Sequence, residues 1–204
     1  MLDFFFQDYG RMINYSSQHL LAIVFFVILG WLIIWYAKKH LKQKEQKQLG
    51  DILAWSLPVT IIGWSIVKIM ANDFDPMTEM PFALCNLLAL IMPFMMIKKN
   101  QWLFEVFYFL AIGATLQAII TPDLSTAFPH HSFFKYWYVH SMVIIVTLYA
   151  TLVYQMRPRF NSILKVFLAI NIYVVLMIIY NSLTGANHLY LMEKPVTATP
   201  VSYT

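Results

Sequence analysis

Six stretches of about twenty mostly apolar residues follow one another along this chain, and they decide what it can fold into. They cover residues 17–37 ("SQHLLAIVFFVILGWLIIWYA"), 52–71, 81–97, 102–120, 136–156 and 162–183. About 20 apolar residues in a helix cross a bilayer, and a helix satisfies its own backbone where no water can. The third stretch is short, and the second and third carry internal prolines, Pro58 and Pro93. A proline is tolerated in a bundle whose neighbours satisfy the freed carbonyl. Composition agrees: 60% of the 204 residues are hydrophobic and 12% are charged. Soluble domains run near 45–50% and 25%, so these charges are too few to coat a water-facing surface. The expected fold is an all-α, polytopic transmembrane helix bundle with six spans. Residues 17–183 form one membrane domain between extracytoplasmic segments 1–16 and 184–204. No internal repeat or low-complexity tract interrupts it, and "KKHLKQKEQKQ" reads as a charged loop.

Charge placement sets the expected orientation. Lys38, Lys39, Lys42, Lys44, Lys47, Lys98, Lys99, Arg157, Arg159 and Lys165 fall at one end of the bundle, ten of fourteen basic residues. The other end carries Arg11, Lys68, Lys135 and Lys194, and most of the acids: Asp3, Asp8, Asp73, Asp75, Glu79, Asp123 and Glu193. The basic end belongs in the cytoplasm, which puts both termini outside a multi-pass protein of the cell membrane. The first sixteen residues lack the basic start, apolar stretch and cleavage site of a signal peptide. One cysteine excludes an internal disulfide and a CxxC metal knuckle.

Polar side chains inside spans are expensive, so their depth is informative. They gather toward the outer end: His19 at the start of the first span, Cys85 and Asn86 in the third, Gln117, Thr121 and Asp123 at the end of the fourth, His140 in the fifth, Asn181 in the sixth. At 1.5 Å per residue, Cys85, Gln117 and His140 lie roughly 6–8 Å below the outer boundary. Five of six histidines are on this side, and Glu105 is the exception in the inner half. The pattern predicts a polar cavity open to the outer leaflet. Each residue also has a plainer reading. A free cysteine packs as a small hydrophobe. Asn86 and Gln117 serve as interhelical hydrogen-bond glue. His19 snorkels to water. His130 and His131 sit solvated in a loop, Lys68 is interfacial, and "FFKYWY" forms an aromatic belt. His140 is the hardest to dismiss, because a histidine one turn inside a span needs a partner.

There is no G-x-S-x-G elbow, P-loop or H-E-x-x-H. The segments "LCNLLAL", "FEVFYFLAIGATLQAIITPDL", "FPHHSFFKYWYVHSM" and "LYLMEKP" together resemble the bacterial YwaF-like integral membrane proteins. These look related to an animal transmembrane acyltransferase acting on ether phospholipids, and more distantly to androgen-induced hydrolases of branched fatty-acid esters. The resemblance runs from the first span to Pro195. It implies a nucleophile on the third helix, a cysteine in the acyltransferase and a threonine in the hydrolases, and a histidine on the fifth. Those positions are Cys85 and His140. Two features depart from the family. Ala83 stands where members often have a histidine, and no seventh span follows the Lys194–Pro195 motif, so the chain is expected to be a fragment or a frameshifted product.

What the resemblance implies is lipid acyl chemistry. Cys85 attacks an ester in the outer leaflet, His140 is the general base, Asn86 or Gln117 donates to the oxyanion, and Asp123 or His19 orients His140. Thr121 and Asn181 complete the cavity. A membrane lipid is the partner; no cofactor, metal or nucleic acid is expected, and oligomeric state is not readable. Three alternatives stand beside this reading. One is a substrate-binding subunit of a transporter, which fits the length and helix number, although "LLAIVFFVILG" lacks the small residues four apart used for docking. Another is a metal-dependent lipid hydrolase using His19, Asp123, His130 and His140. The last is a non-catalytic structural or sensory membrane protein.

Overall fold

A computed structural model describes residues 2–194; residues 195–204, and with them Pro195 and the end of the expected C-terminal segment, lie outside the described residues. Among the described residues the fold is helical throughout, with no strand. The elements are α1 (Leu2–Phe6), α2 (Ser17–His40), α3 (Gln43–Met70), α4 (Pro76–Glu79), α5 (Leu84–Lys98), α6 (Gln101–Leu110), a π-helical turn (Ala111–Thr115) leading directly into α7 (Leu116–Ile120), α8 (His131–Leu152) and α9 (Ser162–Thr184). A short 3-10 turn, His188–Tyr190, follows.

The six expected spans correspond to α2, α3, α5, the continuous α6–α7 unit, α8 and α9. Four of these, α2, α3, α6–α7 and α9, are long and apolar enough to cross a membrane. Helix α5 is shorter, at 15 residues. Helix α8 has the length but carries His, Lys, Tyr and Trp in its first half. It tolerates them because it lies at the centre of the bundle, where protein and not lipid surrounds it. Val139, Met142, Val143, Val146, Tyr149 and Ala150 of α8 are buried in the main core, against Leu57 and Ile61 of α3 and Met92, Met95 and Met96 of α5. Helices α2 and α9 sit at the periphery and present long exposed rows, such as Val24, Val27, Ile28 and Trp31 on α2.

Two boundaries move outward from expectation. Helix α3 starts at Gln43, nine residues before the apolar run, because Glu45 reaches back to accept from the Lys42 N–H (2.7 Å) and caps the first turn. Helix α8 starts at His131, where the His130 Nδ1 accepts from the Ser132 N–H (3.1 Å).

Helix contacts in a membrane rest on close packing, which small residues permit. Ala54 of α3 and Ala89 of α5 are fully buried, and each lies one turn before a buried proline, Pro58 and Pro93. A Cβ on Gly30 of α2 would lie 2.8 Å from Ile145 of α8, so that crossing requires glycine.

The basic end is tied by polar contacts. Tyr149 donates to the Gln46 carbonyl (2.8 Å) and Tyr154 to that of Lys47 (3.3 Å). Glu105, with its side chain fully buried, holds Arg159 (2.5 Å) and Lys165 (2.9 Å), latching α6 to the start of α9. Neutralising a carboxylate with two cations is what makes its burial affordable.

Candidate functional site

The turn before α5 is held by α9, whose Tyr173 hydroxyl donates to the Phe82 carbonyl (2.5 Å). Two residues after Ala83, in the first helical turn, stands Cys85, partly buried. Its sulfur lies 3.6 Å from the Thr115 hydroxyl. Thr115 is fully buried and closes the π-helical turn. A π turn takes one more residue than an α turn and so changes which side chains face the next helix; such bulges recur at functional sites.

Cys85 also sits beside His140 of α8, close enough for the thiol and the imidazole to interact. The His140 Nδ1 lies 2.7 Å from the Tyr136 carbonyl one turn earlier. A carbonyl only accepts, so the proton is on Nδ1, and Nε2 is the nitrogen left with a lone pair for the thiol. The Tyr136 ring stacks on the imidazole (centroids 4.0 Å apart) and its hydroxyl donates to the Ala118 carbonyl (2.7 Å). The histidine is therefore held by its own helix on one nitrogen and by an aromatic face on the ring. This corrects the expectation that Asp123 or His19 orients it.

Asp123 belongs to a layer of loops over this end of the bundle. It pairs with Arg11 (2.6 Å) and accepts from the Tyr190 hydroxyl (2.8 Å). Burial, and then the neighbouring Asp123 carboxylate, push the Tyr190 phenol well above its ordinary range, so it stays a donor. The N-terminal segment joins the layer, with Ala127 N–H donating to the Gly10 carbonyl (2.8 Å) and Met12 N–H to that of Leu124 (3.3 Å).

The other expected cavity residues spend their polar atoms elsewhere. His19 is fully buried; its Nδ1 accepts from the Tyr15 N–H (2.8 Å) and its Nε2 donates to the Ile119 carbonyl (2.9 Å). It is a clamp, not a residue snorkelling to water. The Gln117 amide donates to the Thr121 hydroxyl (2.7 Å) within one helical turn. Both ends of the Asn181 amide bond the His188 backbone, at 2.9 and 3.1 Å, capping α9. Asn86 is partly buried and points about 100° around α5 from Cys85.

His130 and His131 also differ from expectation, since both are buried. His131 stacks on Phe6 and bonds the Phe5 carbonyl (3.2 Å) through Nδ1, docking α1. Lys68, largely buried, pairs with Glu79 (2.6 Å) and Asp73 (3.6 Å). Within "FFKYWY", Phe133 and Trp137 pack into a second, smaller core with Met12 and Ile119 in place of a lipid-facing belt. Among the described residues no group of three or more His, Cys, Asp or Glu is arranged to hold a metal ion. His19, with both nitrogens bonded to backbone, is not available as a ligand, which removes one member of the metal-hydrolase set.

Sequence reasoning missed Thr115, Tyr136 and Tyr173. Nothing in "AIGAT" marks Thr115 as polar partner to a distant residue, and the extra residue in its turn brings it to Cys85. Tyr136 acts on His140 through a backbone carbonyl and a ring face, which no residue pattern marks beyond its spacing of four.

A family model described as the TMEM164 family matches residues 14–204. No curated protein and no solved structure matches the chain.

Proposed function

The chain belongs to the TMEM164 family, and from that premise we propose that it is an integral membrane enzyme transferring or hydrolysing lipid acyl groups through Cys85. The observation that carries this reading is the juxtaposition of Cys85 with a histidine, one nitrogen of which is already committed to Tyr136. A thiol beside a base held in one tautomer is the arrangement that activates a nucleophile. The Cys85 thiol gives its proton to the His140 Nε2 and its sulfur attacks the ester carbonyl of a lipid. The N–H groups in the first turn of α5, which have no intrahelical acceptor, face the developing oxyanion. Collapse breaks the ester C–O bond, and the departing alkoxide takes the proton back from Nε2. The acyl group is left as a thioester on Cys85. A lyso-lipid hydroxyl or a water then loses its proton to His140, attacks the thioester and releases the thiol. Thr115 holds the sulfur in register, and the layer of Arg11, Asp123 and Tyr190 limits water at the outer end.

The proposal includes placement. Residues 17–183 form the membrane domain in the cell membrane, the basic loops are cytoplasmic, and both termini are extracytoplasmic, with the Cys85–His140 pair in the outer half. The test is an outer-leaflet-accessible, thiol-reactive acyl probe on membranes. Wild type labels, Cys85→Ser does not, and His140→Ala labels at least about 100-fold more slowly, the usual size of a general-base contribution. Absence of labelling in wild type, or equal labelling without His140, overturns the enzyme reading and leaves Cys85 as a packing residue.

A further inference from the structure

Helix α2 touches the bundle lightly and leaves a crevice of about 780 Å³ between itself and the α7–α8 wall. Ile23, Phe26 and Ile34 line one side; Ile119, Ile144 and Leu148 line the other. Along α2 it reaches from Ile23 to Lys38 and Lys39, a length of roughly 22 Å at 1.5 Å per residue. Gly30 and Ile145 both line it at the point where α2 and α8 touch, a Cβ on Gly30 lying 2.8 Å from the Ile145 side chain. The walls are almost wholly apolar until the basic end. There Lys38 and Lys39 line the mouth, and the Lys39 ammonium rests over the Trp35 ring, 5.2 Å from its centroid. Neither lysine forms an ion pair among the described residues. The crevice thus combines a long dry slot with two unneutralised cations at one end.

We propose that this crevice binds one anionic phospholipid from the leaflet at the basic end, with an acyl chain along α2 and the phosphate at Lys38 and Lys39. The occupant follows from the charge: a zwitterionic lipid gives the chain the same slot but leaves the two ammonium groups less well matched, and lysines near a membrane surface attract anionic headgroups. The site does not depend on Cys85 chemistry. Its α8 lining, Ser141, Ile144, Ile145, Leu148 and Leu152, is centred about 100° around the helix from His140, and its lysines lie at the other end of the bundle from Cys85.

The test uses the full chain purified in detergent with equimolar phosphatidylglycerol and phosphatidylcholine, and counts retained lipid by native mass spectrometry. Wild type should hold one phosphatidylglycerol in preference to phosphatidylcholine. The double variant Lys38→Gln/Lys39→Gln should lose that preference by roughly 30-fold, about five-fold per lysine. Leu148→Trp, which fills the slot, should lose the retained lipid of either kind. Equal retention of the two lipids by wild type, or an unchanged preference in the double variant, overturns the proposal. Because both lysines are exposed, the double variant decides the matter even where Leu148→Trp fails to fold. The Lys38/Lys39 variant should still label at Cys85, so failure here and failure of the enzyme reading are separate results.

Discussion

At the residue scale, histidines do most of the unexpected work. His19 satisfies two backbone groups that lie 104 positions apart, the Tyr15 N–H and the Ile119 carbonyl. In His19→Leu both lose their partner, the Ile119 carbonyl while buried, at a cost of about 2 kcal/mol. The melting temperature in detergent should fall by roughly 5 °C. An unchanged melt would show that the clamp contributes nothing. His130 caps α8 through an unprotonated nitrogen, and burial, followed by the charge on Lys68, holds it below its ordinary value of 6.5. The unfolded chain therefore binds the proton first, so stability should be full above pH 6.5 and fall as the pH drops below it. His130→Asn keeps an acceptor without a titration and should flatten the melting-temperature profile between pH 7 and pH 5; the remaining slope belongs in part to His188, which burial shifts the same way. Sequence depth was enough to single out His140 and Cys85. It misread His130 and His131 as solvated, because a loop's burial depends on what folds over it, and here α1 does.

At the element scale, the decisive feature is the π-helical turn between α6 and α7. It presents Thr115 to Cys85 in the middle of an otherwise regular span. Thr115→Val keeps the shape and removes the hydroxyl. It should change the rate of Cys85 acyl labelling several-fold while the melting temperature stays within a few degrees. A melt that moves with labelling unchanged would make Thr115 a packing residue only. The second element-level device is the Glu105 latch. Glu105→Gln leaves Arg159 and Lys165 facing a neutral amide, so α6 should separate from α9 more easily. The expected result is a melting temperature lower by roughly 5 °C, with Cys85 labelling retained because the latch lies at the basic end. Sequence reading flagged Glu105 as the one acid in the inner half but found no partner for it. Arg159 and Lys165 lie 54 and 60 positions away, and that pairing exists only once α9 packs on α6.

At the scale of the whole molecule, the charge asymmetry makes a prediction that needs no enzymology. In intact cells, single cysteines introduced into a Cys85→Ser background should react with an impermeant thiol reagent at Gln7 and not at Gln48, and permeabilisation should reverse the second result. Labelling of Gln48 from outside would invert the topology and move Cys85 to the inner half. The sequence by itself determined the helical class and the order and approximate limits of five long helices and one shorter one, and it set the expected depth of each polar residue. These follow from local physics: a bilayer sets the length of an apolar run, and the cost of a buried polar group sets where it is allowed. The helix neighbours were not local. That α8 occupies the centre, that α2 stands apart with a crevice behind it, and that Cys85 meets His140 and Thr115 while His19 and Asn181 turn to the backbone, were decided by tertiary packing. Depth is one coordinate read along a helix; rotation about each axis and the choice of neighbour come from close packing between helices, which no single segment contains.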